Sequence, residues 1–252
     1  MPLTLTRPMT LNLPPQRQKS LRYLLQTLGL PKTAEVDWNL LDLAFTHPSV
    51  SPQKNYQQLE FVGDAVIRLA AAEVLLETYP DASVGEFAAL RSIMVSDRVL
   101  ADWADFYQLE KYLWATPQVL SNSLGRVNRL ADIFEALLGA LYLSSQTMVW
   151  VRPWLDEHLR QKAVEIRQDP ARQNYKDALQ EWSQGVYKCL PVYRVEEVTP
   201  HRISNERFKA TVWVGEQLLG EGMGHSKKVA EQTAARAAFY DFVQGSSPSK
   251  PN

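Results

Sequence analysis

Apolar side chains in the first two-thirds of the chain recur every three or four positions, which is the period of an amphipathic helix. A Ser83–Glu86 capping box opens one of the predicted helices, and the apolar positions extend that helix to Val99. Turn-forming residues dominate 115–127, and no strand pattern occurs before residue 185. The predicted helices cover about residues 20–28, 38–45, 55–78, 84–99, 128–143 and 150–167.

The pattern changes after Asp169-Pro170, where alternation of apolar and polar residues replaces the helical period. Gly215 begins a two-residue turn between two alternating segments, as a tight hairpin requires. The elements predicted here are a helix at 174–184, strands at 192–198, 207–214 and 217–222, and a helix at 226–243.

These patterns predict a multidomain fold class, in which an all-α domain precedes a small α+β domain with the order α-β-β-β-α. The predicted boundaries are a flexible arm at 1–17, the all-helical domain at 18–160, a linker at 161–173, the α+β domain at 174–243 and a disordered tail at 244–252.

The composition narrows the class of protein. With 45% apolar and 22% charged residues in 252 positions, the chain is expected to form one or two globular domains. A single cysteine, Cys189, excludes an internal disulfide and a multi-cysteine zinc site. No run of 18 apolar residues occurs, and the acid-free first 34 residues lack the apolar segment of a secretory signal. We therefore expect a soluble protein of a reducing compartment.

Two pairs of acidic residues lie inside strongly apolar predicted helices. Glu60 and Asp64 are four apart, and Asp132 and Glu135 are three apart, so each pair shares one helix face. Burying an unpaired carboxylate is costly. We expect neither pair to have a basic residue four positions away that would neutralise it, and small neighbours such as Gly63 to leave room for an incoming group.

Four converging carboxylates would suit Mg²⁺, which prefers oxygen ligands. Pairs of this kind also occur on ordinary solvated helix faces, and spacing alone does not show that the two helices meet. Both interpretations remain open at the level of spacing. His47 is a candidate base by its chemistry, although its place at a helix end favours capping or packing.

Several stretches, in order, resemble the ribonuclease III family. Residues 55–66, with Leu59-Glu60-Phe61-Val62-Gly63-Asp64 at their centre, are similar to its signature helix. Residues 44–49, 90–96 and 131–142 resemble further family motifs, and the last 70 residues resemble its double-stranded-RNA-binding domain. The resemblance covers about residues 20–243.

The resemblance implies an endoribonuclease that hydrolyses double-stranded RNA with Mg²⁺, with Mn²⁺ as a substitute. It implies that the metal is bound by Glu60, Asp64, Asp132 and Glu135. It also implies that Asp64 and Glu135 are catalytic. The implied products have 5′-phosphate and 3′-hydroxyl ends with short 3′ overhangs. The family also implies a homodimer through the catalytic domain, a cytoplasmic location without membrane contact, and processing of ribosomal and other structured RNA precursors.

The segment from Gly222 to Gln232 resembles the most characteristic motif of the RNA-binding domain. Lys227 and Lys228 fall in the first turn of a predicted helix, where the positive end of the helix dipole disfavours them unless an external anion is bound. With Ser226 and His225, they are the predicted phosphate contacts. The helix at 174–182 is expected to lie on an RNA minor groove.

Some positions depart from the family pattern. The usual Gly-Pro-x-His element lacks its glycine, and His201 lies farther from the next strand, so Arg202 is a candidate substitute in the minor groove. Gln57 and Val84 stand where the family often has acids. Gln57 remains a candidate for hydrogen bonding to RNA or to a metal-bound water.

Two alternative functions belong to other classes of protein. The first is a double-stranded-RNA-binding protein that keeps the fold but does not cleave, and the presence of all four carboxylates argues against it. The second is a metal-dependent enzyme for small phosphoesters, which the C-terminal domain disfavours.

Overall fold

The computed structural model describes residues 13–169, 174–198 and 206–244, and the chain divides into two units, Met1–Ile166 and Arg167–Asn252. Within these ranges, no helix combines the length and apolar character needed to cross a membrane. The α-helices described in the first unit are α1 (Pro15–Thr27), α2 (Trp38–Leu43), α3 (Gln57–Thr78), α4 (Val84–Met94), α5 (Asp97–Phe106), α6 (Pro117–Ser121), α7 (Arg126–Ser145) and α8 (Arg152–Gln168), the last of which ends two residues beyond the unit boundary.

The core of the first unit is built around the crossing of α3 and α7, which form its most extensive helix–helix contact. Two glycines make the close approach possible. A Cβ atom at Gly63 would overlap the main-chain oxygen of Glu135, and one at Gly139 would overlap that of Leu59. Fully buried side chains such as Ile67 on α3 and Phe134 on α7 belong to the same core. The two helices that carry the acid pairs therefore meet.

The first helix begins earlier than its apolar pattern predicts. Pro15 occupies its first turn, where a missing N–H is tolerated, so the predicted flexible arm at 1–17 overlaps α1 by three residues. Arg17 is 7% exposed, and it donates to Asp42 Oδ1 at 2.6 Å and to the carbonyl oxygen of Tyr112 at 2.5 Å. These contacts between segments distant in sequence hold the start of α1 in place.

The single helix predicted from 84 to 99 is wrong, because it divides at Ser96. Ser83 caps α4 as predicted, since its Oγ accepts from the main-chain N–H of Glu86 at 3.1 Å. Ser96 then adopts an extended conformation, and its hydroxyl donates to the carbonyl oxygen of Ile93 at 2.8 Å. A serine hydroxyl that competes for main-chain groups in this way favours a helix end.

The second unit contains α9 (Tyr175–Tyr187), β1 (Val192–Glu197), β2 (Phe208–Val214), β3 (Gln217–Gly224) and α10 (Lys227–Ala238), as the predicted order requires. The strands form an antiparallel sheet in the order β1-β2-β3. Gly215 has φ +61° in the β2–β3 turn. Glycines 220, 222 and 224 of β3 let α10 approach the sheet, because a Cβ at any of them would overlap α10 main-chain atoms.

Candidate active site

The α3–α7 crossing brings the two acid pairs together. Glu60 and Asp64 lie one turn apart on α3, on either side of Gly63, and Gly63 rests against the main chain of Glu135 on α7. Asp132 lies one turn before Glu135 on the same helix. All four side chains are partly buried. The alternative of two separate solvated faces does not fit this arrangement.

The acid cluster comprises Glu60, Asp64, Asp132 and Glu135, and the pKa is raised at three of them, Glu60, Asp132 and Glu135. Burial, followed by the charges of Asp64, Glu60 and other nearby acids, raises the pKa of Glu135 to about 8. Burial and the charge of Asp132 raise the pKa of Glu60 to about 7. Negative charge is therefore under-compensated at this site, a condition that favours binding of a cation.

The expectation that neither acid pair has a basic residue four positions away is wrong. Arg68 lies four residues after Asp64 on α3, and its guanidinium donates to the Asp64 carboxylate at 2.8 Å. The Arg68 side chain is 51% exposed and that of Asp64 41%, so solvent screens the pair and it contributes little to stability. It does orient Asp64, because an (i, i+4) pair shares one helix face.

The role expected for the small residues also differs. Gly63 and Gly139 do not leave open space beside the acids, because the neighbouring helix fills that space. They allow the main chains to come close, and so they set the distance between the two acid pairs. Sequence spacing shows small residues near the acids without showing which group occupies the space beside them.

Two further side chains lie near the cluster, and the helical periodicity does not predict that they do. Tyr56, at the start of α3, is 4% exposed, and its phenol donates to Asp132 Oδ2 at 3.2 Å. Asp97, in the first turn of α5, adds to the repulsion that raises the pKa of Asp132 and of Glu135, in both cases after the larger effect of burial. Only the packing of α5 against α7 brings Asp97 to this place.

His47 fits the capping and packing interpretation. Its Nδ1 accepts from the main-chain N–H of Ser49 at 2.9 Å, so this nitrogen carries no proton in that bond. Its ring meets the Tyr56 ring edge to face, with 5.7 Å between centroids. Burial, and then the charge of Arg129, lowers the pKa of His47.

The donor chemistry of the cluster fits Mg²⁺, since it offers carboxylate oxygens and an excess of negative charge. In the parts of the chain that the structure describes, no three or more His, Cys, Asp or Glu side chains are arranged to hold one metal ion. This is compatible with Mg²⁺, which commonly binds through one or two carboxylates and keeps its waters or takes substrate phosphate oxygens. The assignment of the four ligands remains a prediction.

The raised pKa values make the stability of the metal-free protein depend on pH. The folded state holds the Glu135 proton up to about pH 8, whereas the ordinary carboxyl pKa is 4.5. The folded state therefore binds more protons in this window, and stability falls as pH rises from about 5 to about 8. Glu135→Gln is expected to reduce this fall, measured as melting temperature against pH with a chelator present. Identical pH profiles for the variant and the wild type would contradict the shift.

The predicted phosphate contacts of the second unit lie together at the start of α10. Ser226 caps the helix by accepting from the main-chain N–H of Val229 at 3.3 Å. Lys227 and Lys228 are its first two residues, both are exposed, and neither forms an ion pair within the described ranges. His225, just before them, is also exposed. Two unpaired cations at the positive end of a helix form a surface suited to anions.

The structure describes only one of the three other residues predicted to contact RNA, Gln57. His201 and Arg202 lie outside the described residues, so their predicted minor-groove contacts stay predictions. Gln57 is exposed at the first position of α3, and Val84 is 83% exposed at the first position of α4. The exposure of Gln57 leaves it accessible to a ligand, while the side chain of Val84 offers no polar group.

Comparisons with known proteins agree with the two units. The model of the family described as ribonuclease III domain matches residues 57–146, and that of the double-stranded RNA binding motif matches residues 175–240. A protein named Ribonuclease 3 2 from Synechocystis sp. (strain ATCC 27184 / PCC 6803 / Kazusa) is 59% identical over 92% of this chain and 96% of its own. One of the same name from Nostoc sp. (strain PCC 7120 / SAG 25.82 / UTEX 2576) is 58% identical over 89% and 93%. Ribonuclease 3 from Gloeobacter violaceus (strain ATCC 29082 / PCC 7421) is 41% identical over 90% and 93%.

Proposed function

Because this chain belongs to the ribonuclease III family and is a double-stranded-RNA endoribonuclease, we propose that its acid cluster is the active site and binds Mg²⁺. The observation that carries the proposal is the meeting of Glu60 and Asp64 with Asp132 and Glu135 across the α3–α7 crossing. Raised pKa values at Glu60 and Glu135 support it, since a bound cation would compensate the repulsion.

The carboxylates would bind the cation and orient it toward the scissile phosphate of the RNA. When bound, a divalent cation supplies positive charge at the phosphate and lowers the pKa of a water. Asp64 and Glu135 are proposed as the catalytic carboxylates. The partly buried site limits screening by solvent, so charges placed there interact more strongly than on an open surface. Mn²⁺ is expected to substitute, because it shares the preference for oxygen ligands.

The second unit would supply affinity for the duplex. Lys227 and Lys228 would hold phosphates on either side of the major groove, with the helix dipole and Ser226 at the same place. Helix α9 would lie on a minor groove and contact 2′-hydroxyl groups. Recognition would follow the shape of A-form RNA rather than its base sequence.

A homodimer through the catalytic domain is supported by an exposed apolar stripe on α3. The stripe consists of residues 61, 65, 69, 72 and 76, whose spacing places them on one helix face. Phe61 is 82% exposed, Leu69 48% and Leu76 59%, which is unusual for large apolar side chains on one face of a single helix. A second copy of the chain is the proposed occupant of this stripe.

Phe61→Arg is expected to shift the protein from dimer to monomer, because it places a charge at the most exposed position of the stripe. Light scattering after size-exclusion chromatography measures the mass directly. Val186→Arg is the matched control, since Val186 is 59% exposed and lies in the other unit. A monomeric wild type, or a dimer unchanged by Phe61→Arg, would remove the stripe as the interface.

The products proposed for a two-site dimer are 5′-phosphate and 3′-hydroxyl ends with a short 3′ overhang, one cut being made on each strand. Cytoplasmic processing of ribosomal and other structured RNA precursors is the proposed setting.

A gel of end-labelled duplex RNA, incubated with the protein with and without Mg²⁺, tests the proposal. We expect discrete products only with the metal, and no cleavage of a single strand of the same sequence. Duplex binding without cleavage under all metal conditions would instead support the non-cleaving RNA-binding protein.

A further inference from the structure

Tyr56 lies just before α3, whereas Asp132, the acid that it contacts, lies on α7. Its side chain is 4% exposed, and its phenol oxygen lies 3.2 Å from Asp132 Oδ2. A phenol O–H donates, and an ionised carboxylate only accepts, so the direction of this bond is defined. Within the described ranges, Asp132 Oδ1 has no hydrogen-bond partner and stays available to a cation.

The position of the Tyr56 ring is set by the segment that precedes α3. The main-chain N–H of Tyr56 donates to the carbonyl oxygen of Thr46 at 3.0 Å. The His47 ring meets the Tyr56 ring edge to face, and the main-chain N–H of His47 donates to the carbonyl oxygen of Trp114 at 2.9 Å. The phenol is thus presented to Asp132 by a braced segment.

Hydrogen bonding differs among the four carboxylates of the cluster. Asp64 is oriented by Arg68 and Asp132 by Tyr56. Glu60 and Glu135 have no side-chain hydrogen bond in the described residues. Carboxylates that bind metals are commonly held by such outer hydrogen bonds, which fix the ligand before the metal arrives. Tyr56 is the buried member of the two orienting groups, and so it is the better shielded from water.

We propose that Tyr56 is a positioning residue for Asp132, which it orients so that Oδ1 faces the divalent cation; this rests on the metal-binding role proposed above. The competing explanation is structural only: a buried phenol requires an acceptor, and Asp132 happens to supply one. The two explanations differ in what removal of the hydroxyl changes. Positioning affects affinity for the metal, whereas a structural role affects folding stability alone.

Tyr56→Phe in the full chain separates them. Calorimetric titration with Mn²⁺ and with Mg²⁺, without RNA, is expected to show binding about 10- to 100-fold weaker than in the wild type. The metal concentration for half-maximal cleavage should rise by a similar factor, while duplex binding with a chelator present stays unchanged. His47→Leu, which removes the ring bracing Tyr56, should give a smaller shift in the same direction.

Tyr112→Phe is the matched control. Tyr112 is also 4% exposed in the same unit, but its hydroxyl has no hydrogen-bond partner within the described ranges, so its removal should leave metal affinity unchanged. Wild-type metal affinity in Tyr56→Phe, whether or not its melting temperature falls, would overturn the inference. Wild-type metal affinity in Asp132→Asn would overturn the ligand assignment itself, which distinguishes failure of the proposed site from failure of this inference alone.

Discussion

Glu135→Gln is expected to reduce cleavage of duplex RNA by more than about 100-fold and to leave duplex binding close to the wild type. Loss of an outer group that orients a metal ligand commonly costs 10- to 100-fold, so loss of a ligand should cost more. Binding should persist because the proposed phosphate contacts lie on α10, in the other unit. Single-turnover cleavage rates and a mobility shift with a chelator present measure the two properties separately.

Asp132→Asn should behave in the same way, because it removes a charge from the same cluster. Asp102→Asn is the control for charge loss alone. Asp102 is an exposed acid on α5 with no ion pair in the described part of the chain, so its variant should cleave normally. Cleavage at the wild-type rate by Glu135→Gln would remove Glu135 from the active site.

Changing Lys227 and Lys228 together to alanine is expected to weaken binding of every duplex sequence alike. It should also flatten the dependence of log affinity on log salt by about one unit for each phosphate that the variant no longer binds. The physical reason is that each lysine bound to a phosphate releases condensed counterions. Binding isotherms at four or more salt concentrations give the slope, and single-turnover rates at saturating protein should change little.

The matched control changes both lysines to arginine, which keeps both charges on the first turn of α10. That variant should keep the wild-type slope. An unchanged slope in the alanine variant would show that the phosphates are held elsewhere, with the undescribed His201 and Arg202 as the next residues to change.

Local patterns predicted most elements within a few residues, and the errors at two helix ends have different causes. The helix expected to run to Val99 ends at Met94, because the Ser96 hydroxyl bonds to the main chain in a way that apolar spacing does not register. The predicted arm is three residues too long, because the polar start of α1 is stabilised by a contact between Arg17 and Asp42 and not by its own pattern.

The sequence by itself determined which residues share a face. The pairs Glu60–Asp64 and Asp132–Glu135, the Gly215 turn, and the lysines at the start of α10 all follow from fixed distances along a helix or hairpin, which can be counted directly along the chain. The family resemblance added the expected chemistry of those residues.

Only the tertiary structure decided which faces meet and what lies beside them. It placed Gly63 against Glu135, brought Tyr56 to Asp132, added Asp97 to the repulsion, and left the Phe61 stripe exposed. These relations join residues dozens of positions apart, and they depend on where packed helices cross. Helical periodicity fixes the direction in which a side chain points from the axis of its own helix. Which residue of another helix it meets is set by the close packing of the whole core.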